Sequence, residues 1–374
     1  MIFLGFSTSP EDGGVLSFGT PFFIASMLAF MPVIFRYLAD MDWRFFLFPF
    51  LYIFLIVVMT AFSFSPFQSS VRAFFNVVGF VIYLGLICSV LSQRLSVQAL
   101  ARILICSGAM LAMYFIVNFF LSSMEHGIQQ VLLERYVGGA MSLPWGASNT
   151  IAQVLLLSAV SYTILDERRK FDFLMFCFIA VGICLTFSRS NMLLLLLLFF
   201  VVFRMRQLVV VGFISVFVLG VFLAYMVISV GWDLSGFDTF LSSRTDVELL
   251  ATGNGRLQTM MEKIDYLVDH PFEPIGYYSS LFHFELSAHN FWMTSLIEES
   301  LVAVLVSLGF FFFVGRTVFR RDRSVFFGFL IIMMALMVED PHFTQQYITS
   351  FWVYLALLVA FGFTEKGVGV ESES

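Results

Sequence analysis

Apolar runs recur along almost the whole chain, and the polar residues between them are few and clustered. A helix needs about 20 apolar residues to cross hydrocarbon. That rule predicts about eleven spans, near residues 17–39, 45–64, 73–92, 99–121, 148–165, 171–187, 191–203, 207–230, 291–315, 324–338 and 347–363. The run 191–203 is short, so the turn preceding it is expected to lie below the bilayer surface. The expected fold is an all-α polytopic membrane protein. Its N-terminal helices fill 1–230, a large polar loop 231–290, C-terminal helices 291–363 and a polar tail 364–374.

Two segments between spans are long enough to fold. Ser122 to Ser148 carries Glu125, Glu134, Arg135, Pro144 and Trp145 and is expected to hold a short surface helix. Within the large loop, Arg256 to Asp269 places Leu257, Met260, Met261, Ile264, Leu267 and Val268 on one face at helical spacing. Gly253-Asn254-Gly255 precedes this helix and Pro271 stops it. Such a helix is expected to lie over the mouth of the bundle. No internal repeat and no Gly-rich nucleotide loop is present.

Composition excludes an ordinary soluble domain. Only 12% of residues are charged, against roughly a quarter in soluble proteins. Cys88, Cys106, Cys177 and Cys184 all fall inside apolar runs and read as packing residues. No histidine pair has the spacing of a zinc site on a helix face. Trp145, Trp232, Trp292 and Trp352 read as anchors at the membrane interface. Met1 to Gly14 has no Lys or Arg, so the basic region of a cleavable signal peptide is not expected there.

Basic residues orient the spans. One set of loops holds Arg36, Arg44, Arg94, Arg102, Arg168, Arg169, Lys170, Arg204, Arg206, Arg316, Arg320, Arg321, Arg323 and Lys366. The opposite set holds only Arg72, Arg135, Arg189, Arg244, Arg256 and Lys263. The first set is expected inside, with the C-terminus, and the N-terminus outside. A broken extra span after Met1 would move the N-terminus alone to the inside.

Arg189 stands out against that bias. It occupies a short outer turn, Ser188-Arg189-Ser190, between two apolar runs. Charge at the edge of hydrocarbon is costly and usually faces a cavity or a partner. A guanidinium held there suits phosphate oxygens. The competing reading is an arginine snorkelling to the headgroups or paired with a structural carboxylate. Arg256 equally suits a solvated loop helix, and His289 a structural histidine at the interface.

Four motifs follow in order: Ser188-Arg189, Gly255-Arg256, His270-Pro271 with Gly276, and His289-Asn290 heading a span. Together they resemble the O-antigen ligase and polymerase family of membrane glycosyltransferases, over roughly residues 150 to 345. The resemblance implies a GT-C-like helical fold with a large periplasmic loop in the bacterial inner membrane. It implies metal-independent transfer, without cofactor, of a glycan from a polyprenyl diphosphate, with inversion. Arg189, Arg256 and Arg72 would hold the diphosphate, His289 would be the general base, and Asp340 would orient it or contact the acceptor. Besides the lipid-linked oligosaccharide and membrane lipid, a chain-length regulator is an implied partner.

The leading expectation is a polysaccharide polymerase, with ligation to lipid A core as the alternative. The family's ligases carry a glycine about ten residues beyond His-Asn, where this chain has Ser300. That departure tilts the expectation toward polymerase and leaves the register of the span open. A lipid-linked glycan transporter is the third reading, although the charges lie mainly in loops rather than at mid-membrane.

Overall fold

The computed structural model describes residues 20–126, 131, 148–203, 256–270, 273–284, 290–338 and 345–363. Among them the chain is all-helical, with no strand. The helices are α1 (Thr20–Tyr37), α2 (Trp43–Thr60), α3 (Pro66–Leu91), α4 (Val97–His126), α5 (Ser148–Val160), α6 (Lys170–Leu185) and α7 (Arg189–Val202). Then come α8 (Arg256–Asp269), α9 (Ser280–His283), α10 (Phe291–Glu298), α11 (Leu301–Arg321), α12 (Arg323–Leu336) and α13 (Gln345–Phe363).

Among the described residues, four segments are long and apolar enough to cross a membrane: Trp43–Thr60, Pro66–Leu91, Val97–Glu125 and Leu301–Arg321. They fit a membrane protein. Other apolar helices are shorter, and the sequence-predicted span 207–230 lies outside the described residues. The run 291–315 is not one helix. It breaks at Ser300 into α10 and α11.

Helix α13 is apolar all round, and every position from Tyr347 to Phe361 is buried, as such a helix requires. It packs on α3 and is flanked by α5 and α11, while α3 is also covered by α1 and α2. Small residues let these helices approach. A Cβ at Gly79 would strike the Trp352 ring, and one at Gly108 would strike Ser158 where α4 meets α5. Trp352 is therefore a core residue, donating from its indole nitrogen to Asn76 Oδ1 at 3.3 Å. It is not the interfacial anchor expected from its type. Of the four cysteines, all free, only Cys88 is fully buried, and Cys184 is exposed on the apolar surface of α6.

The ends of the bundle are distinct. At one, Arg102 pairs with Asp172 at 3.5 Å and donates to Glu167 O at 3.1 Å, while Arg168 donates to Val202 O at 2.9 Å. At the far ends of α4 and α6, Phe119 meets Phe187, ring centroids 6.4 Å apart. Arg189 begins α7 two residues after Phe187.

Candidate functional site

The α2–α3 turn, residues 61–65, grips part of the large loop. Ser63 is the hub. Its hydroxyl bonds Ser69 Oγ, receives a hydrogen bond from Ser279 Oγ at 3.1 Å, and receives the Ser65 N–H at 3.1 Å. Phe64 N–H donates to Ser279 Oγ at 3.1 Å, Ser69 Oγ to Tyr277 O at 2.8 Å, and Tyr277 N–H to Met59 O at 3.1 Å. The loop residues 273–284 thus form a strap bound by backbone and hydroxyl groups.

Gly276 makes that approach possible. Its φ is +95° and a Cβ would stand 2.5 Å from the Phe62 carbonyl, a conformation and a distance that only glycine tolerates. Tyr277 beside it is fully buried, its hydroxyl accepting from Asn76 Nδ2 at 2.8 Å.

The strap's other side is held by α10. Asn290 caps this helix, its Oδ1 accepting from Trp292 N–H at 3.0 Å and Met293 N–H at 3.2 Å, the usual work of an asparagine at that position. Ile275 N–H donates to Ile297 O at 2.9 Å. The buried Glu298 carboxylate then accepts Tyr278 N–H at 2.7 Å, Ser280 N–H at 2.9 Å and Ser280 Oγ–H at 2.5 Å. A buried carboxylate is tolerable only when so provided. Its neighbour Glu299 is also buried and accepts from the Tyr52 hydroxyl at 3.3 Å.

The break follows at once. Ser300 has φ +114° and ψ 164°, a region essentially reserved for glycine. The unusual serine therefore sits where the backbone itself asks for glycine.

Arg72, half-buried on α3, lays its guanidinium over the Tyr278 ring, 4.0 Å from the centroid. Next to the strap is a cluster of rings. His283 lies between Phe64 at 5.7 Å and Tyr266 at 5.4 Å, and Tyr266 stacks on His270 at 4.8 Å. The Tyr266 hydroxyl donates to Glu273 O at 3.2 Å. Burial, then the Glu273 charge, raise its pKa above the ordinary phenol value, which keeps that donor protonated.

Helix α8 forms as its spacing predicts, but it does not set its apolar face on the bundle. Among the side chains described on α8, Lys263 is buried, with its ammonium 5.3 Å from the Phe284 centroid, and Tyr266 and Leu267 are half-buried. Met260, Met261, Ile264 and Val268 are exposed.

The strap carries Gly276 and packs against Arg72, and it is bonded to the C-terminal end of α10, whose N-terminus Asn290 caps. Arg189 is placed by other helices, exposed in the first turn of α7, which packs on α12 and α5. The Ser188 hydroxyl next to it accepts from Asn191 Nδ2 at 2.8 Å. Arg256 opens α8, and its side chain lies outside the described residues. So do His289, Asp340, His342 and Pro271, with Trp145 and Trp232.

A cavity of about 30 Å³ lies among Tyr52, Asn76, Phe291, Ser307, Phe310 and Trp352. It has room for a water or two and none for a sugar.

Sequence reasoning missed Glu298 as the strap's anchor. Two adjacent acids within an apolar run were the available signal. No family model and no curated protein matches this chain.

Proposed function

We propose that the chain is a membrane glycosyltransferase that moves a glycan from a polyprenyl diphosphate to a lipid-linked repeat unit at the outer face. One observation carries the reading. Gly276 and Arg72 both pack on the strap, and the strap is bonded through Ile297 and Glu298 to α10, the helix that Asn290 caps. Gly276 and Asn290 belong to the motif order, and His289 is the residue before Asn290 in the chain.

In this reading an acceptor sugar hydroxyl attacks the anomeric carbon of the donor. The bond to the diphosphate oxygen breaks with inversion, and His289 takes the hydroxyl proton. Negative charge grows on the leaving diphosphate. Arg189, Arg256 and Arg72 would meet that charge where other glycosyltransferases use a divalent ion, each commonly worth a few kcal/mol in the transition state. Asp340 would orient His289 or bind the acceptor. The apolar helix surface suits the polyprenyl tail. About eleven spans, a periplasmic loop and a chain-length regulator as partner belong to the same reading.

Position 300 is a weak guide between polymerase and ligase, because its serine occupies a backbone conformation that favours glycine. The acceptor must decide. Purified protein would be given a lipid-linked repeat unit, alone or with lipid A core. Long glycan and free polyprenyl diphosphate from the repeat unit alone are expected. Product only with lipid A core means ligase, and movement across vesicles without bond formation means transporter. Arg189→Ala and His289→Ala should each abolish transfer in protein that still inserts. Arg256→Lys should also fail if that contact is bidentate. Normal turnover by the His289 variant would remove the general base from the scheme.

A further inference from the structure

Helix α8 has three distinct faces. Lys263 is buried, and with half-buried Tyr266 and Leu267 it faces the protein through Phe284 and His283. The next stripe is Met260, Met261, Ile264 and Val268, between 40% and 72% exposed. The stripe after that is Glu262, Asp265 and Asp269, all exposed. A helix in water beside a soluble body would turn the apolar stripe inward, and this one turns in a lysine instead. We infer that α8 lies in the plane of the membrane surface, flanking the bundle, with Met260, Met261, Ile264 and Val268 seated among lipid acyl chains and the acidic stripe in water.

The occupant is argued from continuity. Phe62, Phe64 and Phe67 are each about two-thirds exposed. They sit at the junction of α2 and α3, two helices long and apolar enough to cross a membrane. Their level is therefore the edge of the hydrocarbon. Phe64 stacks on His283, which meets Tyr266 edge to face, so these rings join that junction directly to α8 and put the methionine stripe at the same height. The helix's charged residues, Arg256, Glu262, Lys263, Asp265 and Asp269, are predominantly acidic. Its seating should thus come from apolar burial and not from attraction to anionic lipid.

The inference stands apart from the proposed chemistry and is tested without turnover. Spin labels would be placed one at a time at Met261→Cys, Val268→Cys, Asp265→Cys and Glu262→Cys, in a background whose four native cysteines are replaced by alanine. The protein would be reconstituted in phosphatidylcholine vesicles. Labels at 261 and 268 should be accessible to oxygen and shielded from a water-soluble nickel complex, and labels at 262 and 265 the reverse. Adding phosphatidylglycerol or salt should leave the pattern unchanged. Equal nickel access at all four sites would overturn the inference. So would dipolar broadening at 261 and 268, because it would mean that a second copy covers the stripe. The unsubstituted chain gives an independent readout, since photoactivatable phosphatidylcholine should cross-link within α8. Absence of adducts there, with adducts on α2 and α11, would also overturn it.

Discussion

Ser300 holds a conformation that costs a residue with a side chain about 1–3 kcal/mol. Glycine at this point would remove that cost while adding roughly 0.5–1 kcal/mol of chain entropy to the unfolded state. Ser300→Gly should therefore stabilise the protein by about 1 kcal/mol, seen as a higher unfolding temperature in detergent. A lower temperature would mean that the serine hydroxyl matters more than the backbone. Gly276→Ala should act the other way, because its φ of +95° and the 2.5 Å approach to Phe62 leave no room for relief. The expected loss is a few kcal/mol, with the strap leaving the α2–α3 turn. These two positions also show what a sequence can and cannot tell. Gly276 is visible as one member of a motif, but the reason for it, the Phe62 backbone 214 residues earlier in the same chain, is long-range. Asn290 is legible locally, since an asparagine before an apolar run is a helix cap. Arg72 stands out in the sequence only as an outer-facing cation, and nothing there pairs it with Tyr278.

The α10–α11 break is an element that hydropathy conceals. Residues 291–315 carry no charge apart from Glu298 and Glu299, and a window average smooths over two acids. In the structure those acids mark the place where the helix stops, and Glu298 accepts three donors from the strap. Without that carboxylate the Tyr278 and Ser280 amides lose their partners, at about 1–3 kcal/mol for each buried donor. In Glu298→Ala these two amides should exchange hydrogen about 5- to 150-fold faster, while amides of α2 and α3 keep their rates. Glu298→Gln should fall between, since one amide oxygen replaces two carboxylate oxygens and the new NH2 group faces N–H donors. Unchanged protection in the alanine variant would show that hydroxyl contacts to Ser63 and Ser69 suffice to hold the strap. Helix α8 carries a related lesson. Its period was readable, but which face turns inward depends on the solvent around it, and a helical wheel contains no such information.

The arrangement of the whole bundle follows from charge and from docking by separate routes. Fourteen of the twenty basic residues fall in loops assigned to the inside, and six in the others. Independently, the strap from the large loop is bonded to the α2–α3 turn, so both must share one side. The Arg102–Asp172 pair ties the first turns of α4 and α6 at the opposite end. These assignments agree, and the α6–α7 turn, near Phe119, joins the first group. A global inversion would preserve every contact and reverse only the sidedness. Cysteine labelling of intact cells separates the two cases. In a background with the native cysteines replaced by alanine, Glu262→Cys on α8 should react with a membrane-impermeant maleimide without permeabilisation. Glu167→Cys, beside Arg102, should react only after it. The reverse pattern would put Arg189 in the cytosol, where a donor carried at the outer face never meets it, and the proposed transfer would fail with it.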